Sequence, residues 1–185
     1  MFCMAFPRRG LPVLPRSDDL AARGLSLRDA GEADLLFLQA LYASGRADEM
    51  AFMPWPQPQK DAFLADQFGL QHHHFVTHFS GADFWIVERS DRADVTSAVG
   101  RFYLDRSTPL WRVIDIGLAP EARGQGLGSA LLAWAQACVR DAGAAGIDLH
   151  VAVDNPGAQS LYQRLGFVPE GATNGHHQRM AWRRG

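Results

Sequence analysis

Six consecutive residues, Arg123-Gly124-Gln125-Gly126-Leu127-Gly128, have the types and spacing to hold an anion. They stand between an apolar run, 113–118, and an amphipathic segment, 127–139, so a strand is expected to pass through a glycine-rich turn into a helix. Glycines at such a turn let the backbone come close to a ligand, and the N–H groups of the first helical turn have no partner inside the helix. The two features together favour a negatively charged guest, of which a pyrophosphate is the natural one. The Walker loop needs Gly-Lys-Ser/Thr at its end, whereas Gly128-Ser129-Ala130 offers no lysine. The dinucleotide fingerprint needs a third glycine or alanine three residues after the second. Counting from Gly124 and Gly126 lands on Ser129, and from Gly126 and Gly128 on Leu131. Neither nucleotide motif fits.

A second segment narrows the chemistry. Asn155, Ala158, Tyr162, Gly166 and Phe167 follow the pattern Asn-x-x-Ala-x-x-x-Tyr-x-x-x-Gly-Phe. With Arg-x-x-Gly-x-Gly preceded by Leu118-Ala119-Pro120, and with one helix and one strand between the two motifs, the chain resembles the GNAT superfamily of N-acetyltransferases. The resemblance covers 25–185 in organisation and is specific over 111–167. It implies an acetyl-CoA-dependent transfer of an acetyl group to a primary amine by direct attack in a ternary complex, with no metal. The amides from Gln125 through Gly126, Leu127 and Gly128 to Ser129 would take the pyrophosphate, Gly124 would shape the turn, and Arg123 would add charge. The thioester arm would run along Ile116, Gly117 and Leu118, with the Leu118 amide polarising the thioester carbonyl. Asn155 matches the family's contact to the pantetheine arm, and Tyr162 matches the residue that protonates the departing thiolate. A non-catalytic acyl-CoA-binding or regulatory module with the same fold is the alternative.

Amide formation also needs a base, and the family places it variably. Asp115, five residues before Pro120, is the first candidate. Period-two alternation puts it away from Ile114, Ile116 and Leu118, on the side of Trp111 and Val113. The competing expectation is a structural ion pair with Arg101 or Arg112. Glu49 and His150 are the reserves. For the acceptor, the resemblance implies walls from 43–79, with Glu49, Phe52, Trp55 and Tyr103 as expected contacts. A carboxylate beside aromatic walls suits a cationic amine. His72, His73, His74 and His78 suggest a metal at first sight, but only His74 and His78 share a helix face, and no third ligand is assigned. Cys138 falls on a core stripe with Leu127, Leu131 and Trp134, which makes it a poor nucleophile.

These residues are positioned by an alternation of strands and helices. Short apolar alternation at 25–27 reads as a strand, and Asp29-Ala30-Gly31-Glu32 has the form of a capping box before a helix at 31–44. Prolines 54, 56 and 58 make 50–58 a stiff irregular connection. Leu64, Phe68, His72, Phe75 and Phe79 mark a long amphipathic helix over 59–79. Strands are expected at 84–88 and 98–105, joined as a hairpin, then at 111–118, 147–153, 167–169 and 178–182. The fold class is α/β (α+β), a GNAT fold with a mixed twisted sheet of about six to seven strands and helices on both faces. One domain over 25–185 follows a mobile tail, 1–24, in which Pro7, Pro12 and Pro15 interrupt any signal-peptide core.

The chain has 185 residues and a formal net charge of −2, giving no electrostatic footprint for nucleic acid. No apolar run spans a bilayer. Cys3 and Cys138 form no disulfide framework, so a cytoplasmic enzyme is expected, with acetyl-CoA and an amine as its partners. Exposed sheet edges permit either a monomer or a homodimer.

Overall fold

The strand carrying Asp115 and Leu118 is the centre of a seven-stranded sheet in the computed structural model, which describes residues 5–7, 12–90, 95–173 and 175–185. In chain order the elements are α1 (Asp18–Ala22), β1 (Leu25–Asp29), α2 (Leu35–Ser44), α3 (Ala47–Ala51), α4 (Gln57–His78), β2 (Asp83–Ser90), β3 (Thr96–Asp105) and β4 (Leu110–Leu118). They are followed by α5 (Leu127–Ala142), β5 (Gly146–Ala152), α6 (Pro156–Arg164), β6 (Val168–Pro169) and β7 (His177–Arg183). The sheet order is β1-β2-β3-β4-β5-β7-β6, and every neighbouring pair is antiparallel except β4 with β5. That parallel pair spans only Leu110↔Gly146 to Val113↔Leu149. Beyond Val113 the two strands part, leaving an opening in the middle of the sheet.

Both faces are covered. Phe102, Trp111, Val113, Leu131, Trp134 and Leu149 are buried between the sheet and α5, whereas Leu38, Phe68, Phe84, Ile86 and Tyr103 are buried between the sheet and α2 with α4. Leu127, Leu131, Trp134 and Cys138 all face inward, as their spacing predicts. Burial pushes the Cys138 thiol up to about 11, where it remains protonated at neutral pH.

Several expectations are corrected. The irregular connection contains the short helix α3, and α4 starts at Gln57 because Pro58 falls in its first turn, where a missing N–H costs nothing. The buried stripe of α4 is Leu64, Phe68, His72 and Val76, with Phe75 and Phe79 only partly buried. The carboxylate closing the turn before α2 is Asp34, which accepts the Gly31 N–H at 2.8 Å. The last strand, β7, begins at His177, one residue before the expected 178.

The described part of the segment expected to be a mobile tail is docked. Leu20 in α1 is buried, Trp134 donates its indole N–H to the Pro15 carbonyl at 3.1 Å, and Phe6 lies edge-on to His72 at 4.8 Å. Apolar side chains at 6, 14 and 20 had core surface to cover, which offsets the ordering entropy of the backbone. Cys3 and the connection 91–94 of the expected hairpin lie outside the described residues.

Candidate active site

The glycine loop meets the opening at the end of β4. Gly124 (φ 71°) and Gly126 (φ 75°) are left-handed, and around the Cβ position of either no atom of the described residues, chain neighbours aside, stands within 4 Å. Glycine is therefore demanded by backbone conformation and not by crowding inside the protein, which leaves a bare backbone cradle facing outward. Gly126 caps α5, and the Ala130 N–H bonds its carbonyl at 3.0 Å, so the amides of Leu127, Gly128 and Ser129 form the open first turn. This cradle fits a pyrophosphate.

Side chains brace the loop from two directions. Arg123 donates through Nε to the Leu118 carbonyl at 2.8 Å and through Nη2 to Ser44 Oγ at 3.1 Å, tying the loop to the end of α2. Gln125 accepts from Arg89 on β2 at 2.6 Å. Neither Ser44 nor Arg89 stands out in the sequence, since each is a polar residue at an element's end.

The alternation of the ladder aims β4's backbone. The Ala119 N–H donates to Val99 O at 2.9 Å across β3, so the N–H of Leu118 points the other way, toward the opening beside β5. Leu118's carbonyl, turned to Arg123, follows the same rule. Ile116, two residues earlier, repeats this orientation, while Gly117 between them faces β3. Gly100, opposite Leu118 in register, is a positioning residue that sequence reasoning missed. A Cβ there would lie 2.4 Å from the Gly117 carbonyl oxygen, so only glycine lets β3 close on β4 at this level. An isolated glycine inside a strand pattern was the available signal.

Asp115 does not face the side that alternation predicts. Leu104 pairs with Val113 but Tyr103 with Asp115, so a bulge at Ile114 inserts one residue and resets the phase. Trp111 and Val113 face α5, whereas Asp115 shares the α2–α4 face with Ile114 and Tyr103 and still points away from Ile116 and Leu118. There its carboxylate is bound by Arg101, itself 6% exposed, and Arg101 also donates to Gln71 on α4 at 3.0 Å. The ion pair is thus with Arg101, while Arg112 goes to Asp148.

The remaining site residues separate into two groups. Tyr162 is buried against Phe167, with ring centroids 5.9 Å apart, and burial, with the charge of Asp115 adding, pushes its phenol up to about 12. The Asn155 side chain accepts the Ala158 N–H at 3.0 Å, making it the N-cap of α6 ahead of Pro156. The expected acceptor walls are not gathered into one pocket by recorded contacts. Tyr103 is fully buried among Phe75 and Phe84, and among the described residues its hydroxyl finds no hydrogen-bond partner. Trp55 packs on Phe63, Glu49 pairs with Arg46 at 3.3 Å, and Phe52 is 88% exposed. The His74 and His78 rings lie 4.2 Å apart at a tilt of 33°, and among the described residues no group of three metal-ligating side chains could hold an ion. No described helix is long and apolar enough to cross a membrane.

A third cluster lies on the sheet face of β5 and β7 opposite α5. Asp148, fully buried, accepts from Arg112 at 2.8 and 2.9 Å and from Arg179 at 2.8 Å. Burial opposes ionisation of this carboxyl, but the two guanidinium groups outweigh it and hold the carboxyl below its usual range.

Known proteins share both the architecture and the motif region. Mycothiol acetyltransferase of Paenarthrobacter aurescens is 45% identical over 56 residues, 30% of this chain and 17% of its own length. That of Nocardiopsis dassonvillei is 42% identical over 84 residues, 45% of this chain and 23% of its own. The matched segments therefore span less than a quarter of those relatives. Among solved structures, the PaiA N-acetyltransferase of Thermoplasma acidophilum in complex with coenzyme A superposes with a TM-score of 0.63 at 16% identity, covering 86% of this chain and 99% of that one. Spermidine N-acetyltransferase of Vibrio cholerae, in complex with CoA and spermine, gives 0.57 at 24% identity, over 86% and 95%. These likenesses establish the fold. The family model for the GNAT acetyltransferases matches residues 43–167, from the end of α2 through both motifs, and with it the chain belongs to the GNAT family.

Proposed function

We propose that this protein is an acetyl-CoA-dependent N-acetyltransferase acting on a primary amine. The observation that carries the proposal is the junction of three backbone features: the bare glycine cradle, the open first turn of α5, and the Leu118 amide directed into the gap between β4 and β5. Acetyl-CoA supplies the thioester. The cradle from Gly124 to Ser129 holds its pyrophosphate, with Arg123 alongside, and the edge of β4 from Ile116 through Gly117 to Leu118 pairs with its arm. Asn155, already committed as a helix cap through its oxygen, keeps its amide N–H groups for the same arm.

The chemistry then divides among a few groups. The Leu118 N–H meets the carbonyl oxygen as it gains charge, acting as a preorganised dipole. The amine nitrogen bonds the acetyl carbon and the C–S bond breaks. The Tyr162 phenol, protonated far above neutral pH, gives its proton to the departing sulfur. An ammonium and the thioester thus yield an amide, free thiol and one proton released to solvent. Phe52, Trp55 and Glu49 are proposed to flank the amine, and the Arg101–Asp115 pair, with the Arg101 guanidinium over the buried Tyr103 ring, forms a polar floor beside it.

Isothermal titration with acetyl-CoA tests the reading, using Gly126→Glu as the broken cradle. One-to-one binding lost in the variant, with thiol release in the presence of an amine panel, is expected. Binding without turnover of any amine would favour a non-catalytic acyl-CoA module. No binding at millimolar ligand, about −4 kcal/mol, would overturn both readings.

A further inference from the structure

We infer that the general base of this reaction is His150 on β5, not Asp115 on β4. The inference rests on the acetyltransferase reading and names the group that takes the amine's proton. Ile147, Leu149 and Val151 are packed toward α5, so alternation turns His150 to the opposite face, the one that carries Asp115. Pairing of β4 with β5 ends at Val113↔Leu149, so His150 is the first β5 residue past the last pair. It stands on the lip of the opening, at the level where β4 begins to splay, and solvent reaches its ring. Asp115 occupies the other lip, but one carboxylate oxygen is taken by the buried Arg101, which neutralises its charge and ties it to α4 through Gln71.

Charged groups around His150 come from both flanking strands. Arg112 lies on β4, Asp148 on β5, and Arg179, directly paired with His150, on β7 with His177. Asp148 anchors both arginines, and Glu170 holds Arg179 at 3.3 Å, so these cations are fixed near the ring. Partial desolvation and then Arg112 pull the imidazole below its ordinary value, Asp148 opposes this, and Arg179 and His177 reinforce it. The ring is therefore neutral at pH 7, with a lone pair free to accept a proton. In the reaction it takes one proton from the ammonium, becomes imidazolium, and returns the proton to solvent from its exposed position.

Three proteins decide the matter: wild type, His150→Gln and Asp115→Asn, each assayed by thiol release with acetyl-CoA and the best amine of a panel of alkylamines, polyamines and aminoacyl amides. Titration with acetyl-CoA and thermal melting accompany each. The expected result for His150→Gln is a loss of about 100-fold in kcat/KM at pH 7, with wild-type melting and acetyl-CoA affinity. Its acid limb, which in wild type falls below pH 6.5, disappears, while Asp115→Asn retains that limb. A His150→Gln protein within a few-fold of wild type, or an acid limb removed by Asp115→Asn instead, overturns the assignment and leaves the acetyltransferase reading intact. Wild type that fails to bind acetyl-CoA overturns the earlier reading itself.

Discussion

The two sides of the β4–β5 opening are built by different means. On the α5 side the groups proposed to face the ligand are backbone amides, fixed by two left-handed glycines, a helix terminus and the parity of a strand ladder. On the α2–α4 side they are side chains, set by an ion pair between Arg101 and Asp115, a buried tyrosine and a bulge. Backbone geometry tolerates few residue types, so it leaves a readable motif. A side-chain site can be assembled from many combinations, so it leaves none.

The largest effect should come from crowding the backbone side. Gly100→Ala sets a methyl carbon 2.4 Å from the Gly117 carbonyl oxygen, and both contacting groups lie on β4. The expected cost is about 3 kcal/mol, a lowering of the melting temperature by roughly 6–12 °C. A wild-type melt would mean that β3 can retreat there, and that β4 is less firmly placed than the ladder indicates.

Tyr162→Phe removes a proton donor while keeping the ring that packs on Phe167. A fall in kcat of about 100-fold with unchanged acetyl-CoA affinity is expected. The same variant reads out as pH-dependent stability. Burial raises the folded phenol to about 12, while the unfolded one ionises near 10, so the Tyr162 contribution is complete below pH 10 and lost as pH rises toward 12. Denaturant unfolding of the Phe variant should therefore weaken less over that window than wild type.

Phe52→Ser sharpens the comparison at its weak end. With 88% of the residue exposed, stability should stay within about 0.5 kcal/mol of wild type. An acceptor KM raised about threefold, roughly 0.7 kcal/mol, would place the ring beside the amine. An unaltered KM removes it from the acceptor side.

Much of the fold was legible because apolar periodicity dictates it. The strand–loop–helix unit from Leu110 to Ala142, the inward stripe of α5 and the burial of His72 all follow from spacing. The face of Asp115 did not, because a bulge is a property of a strand pair: Ile114 is displaced only relative to β3. The docking of Phe6, Leu14 and Leu20 was hidden by the prolines between them, which mark irregular backbone without saying whether it is packed. Arg101 as the partner of Asp115 was one of two expected arginines. Asp148, in turn, claimed the other.

The four-residue parallel seam between β4 and β5 acts as a length gauge. The seven strands are two antiparallel sheets stitched together by Leu110 to Val113, and the slit begins where the stitching stops. Each further stitch would shorten the slit by about 3.3 Å and each stitch removed would lengthen it by as much. A substitution that moved the end of the seam by one pair would change the length of the slit without altering any residue of the glycine cradle.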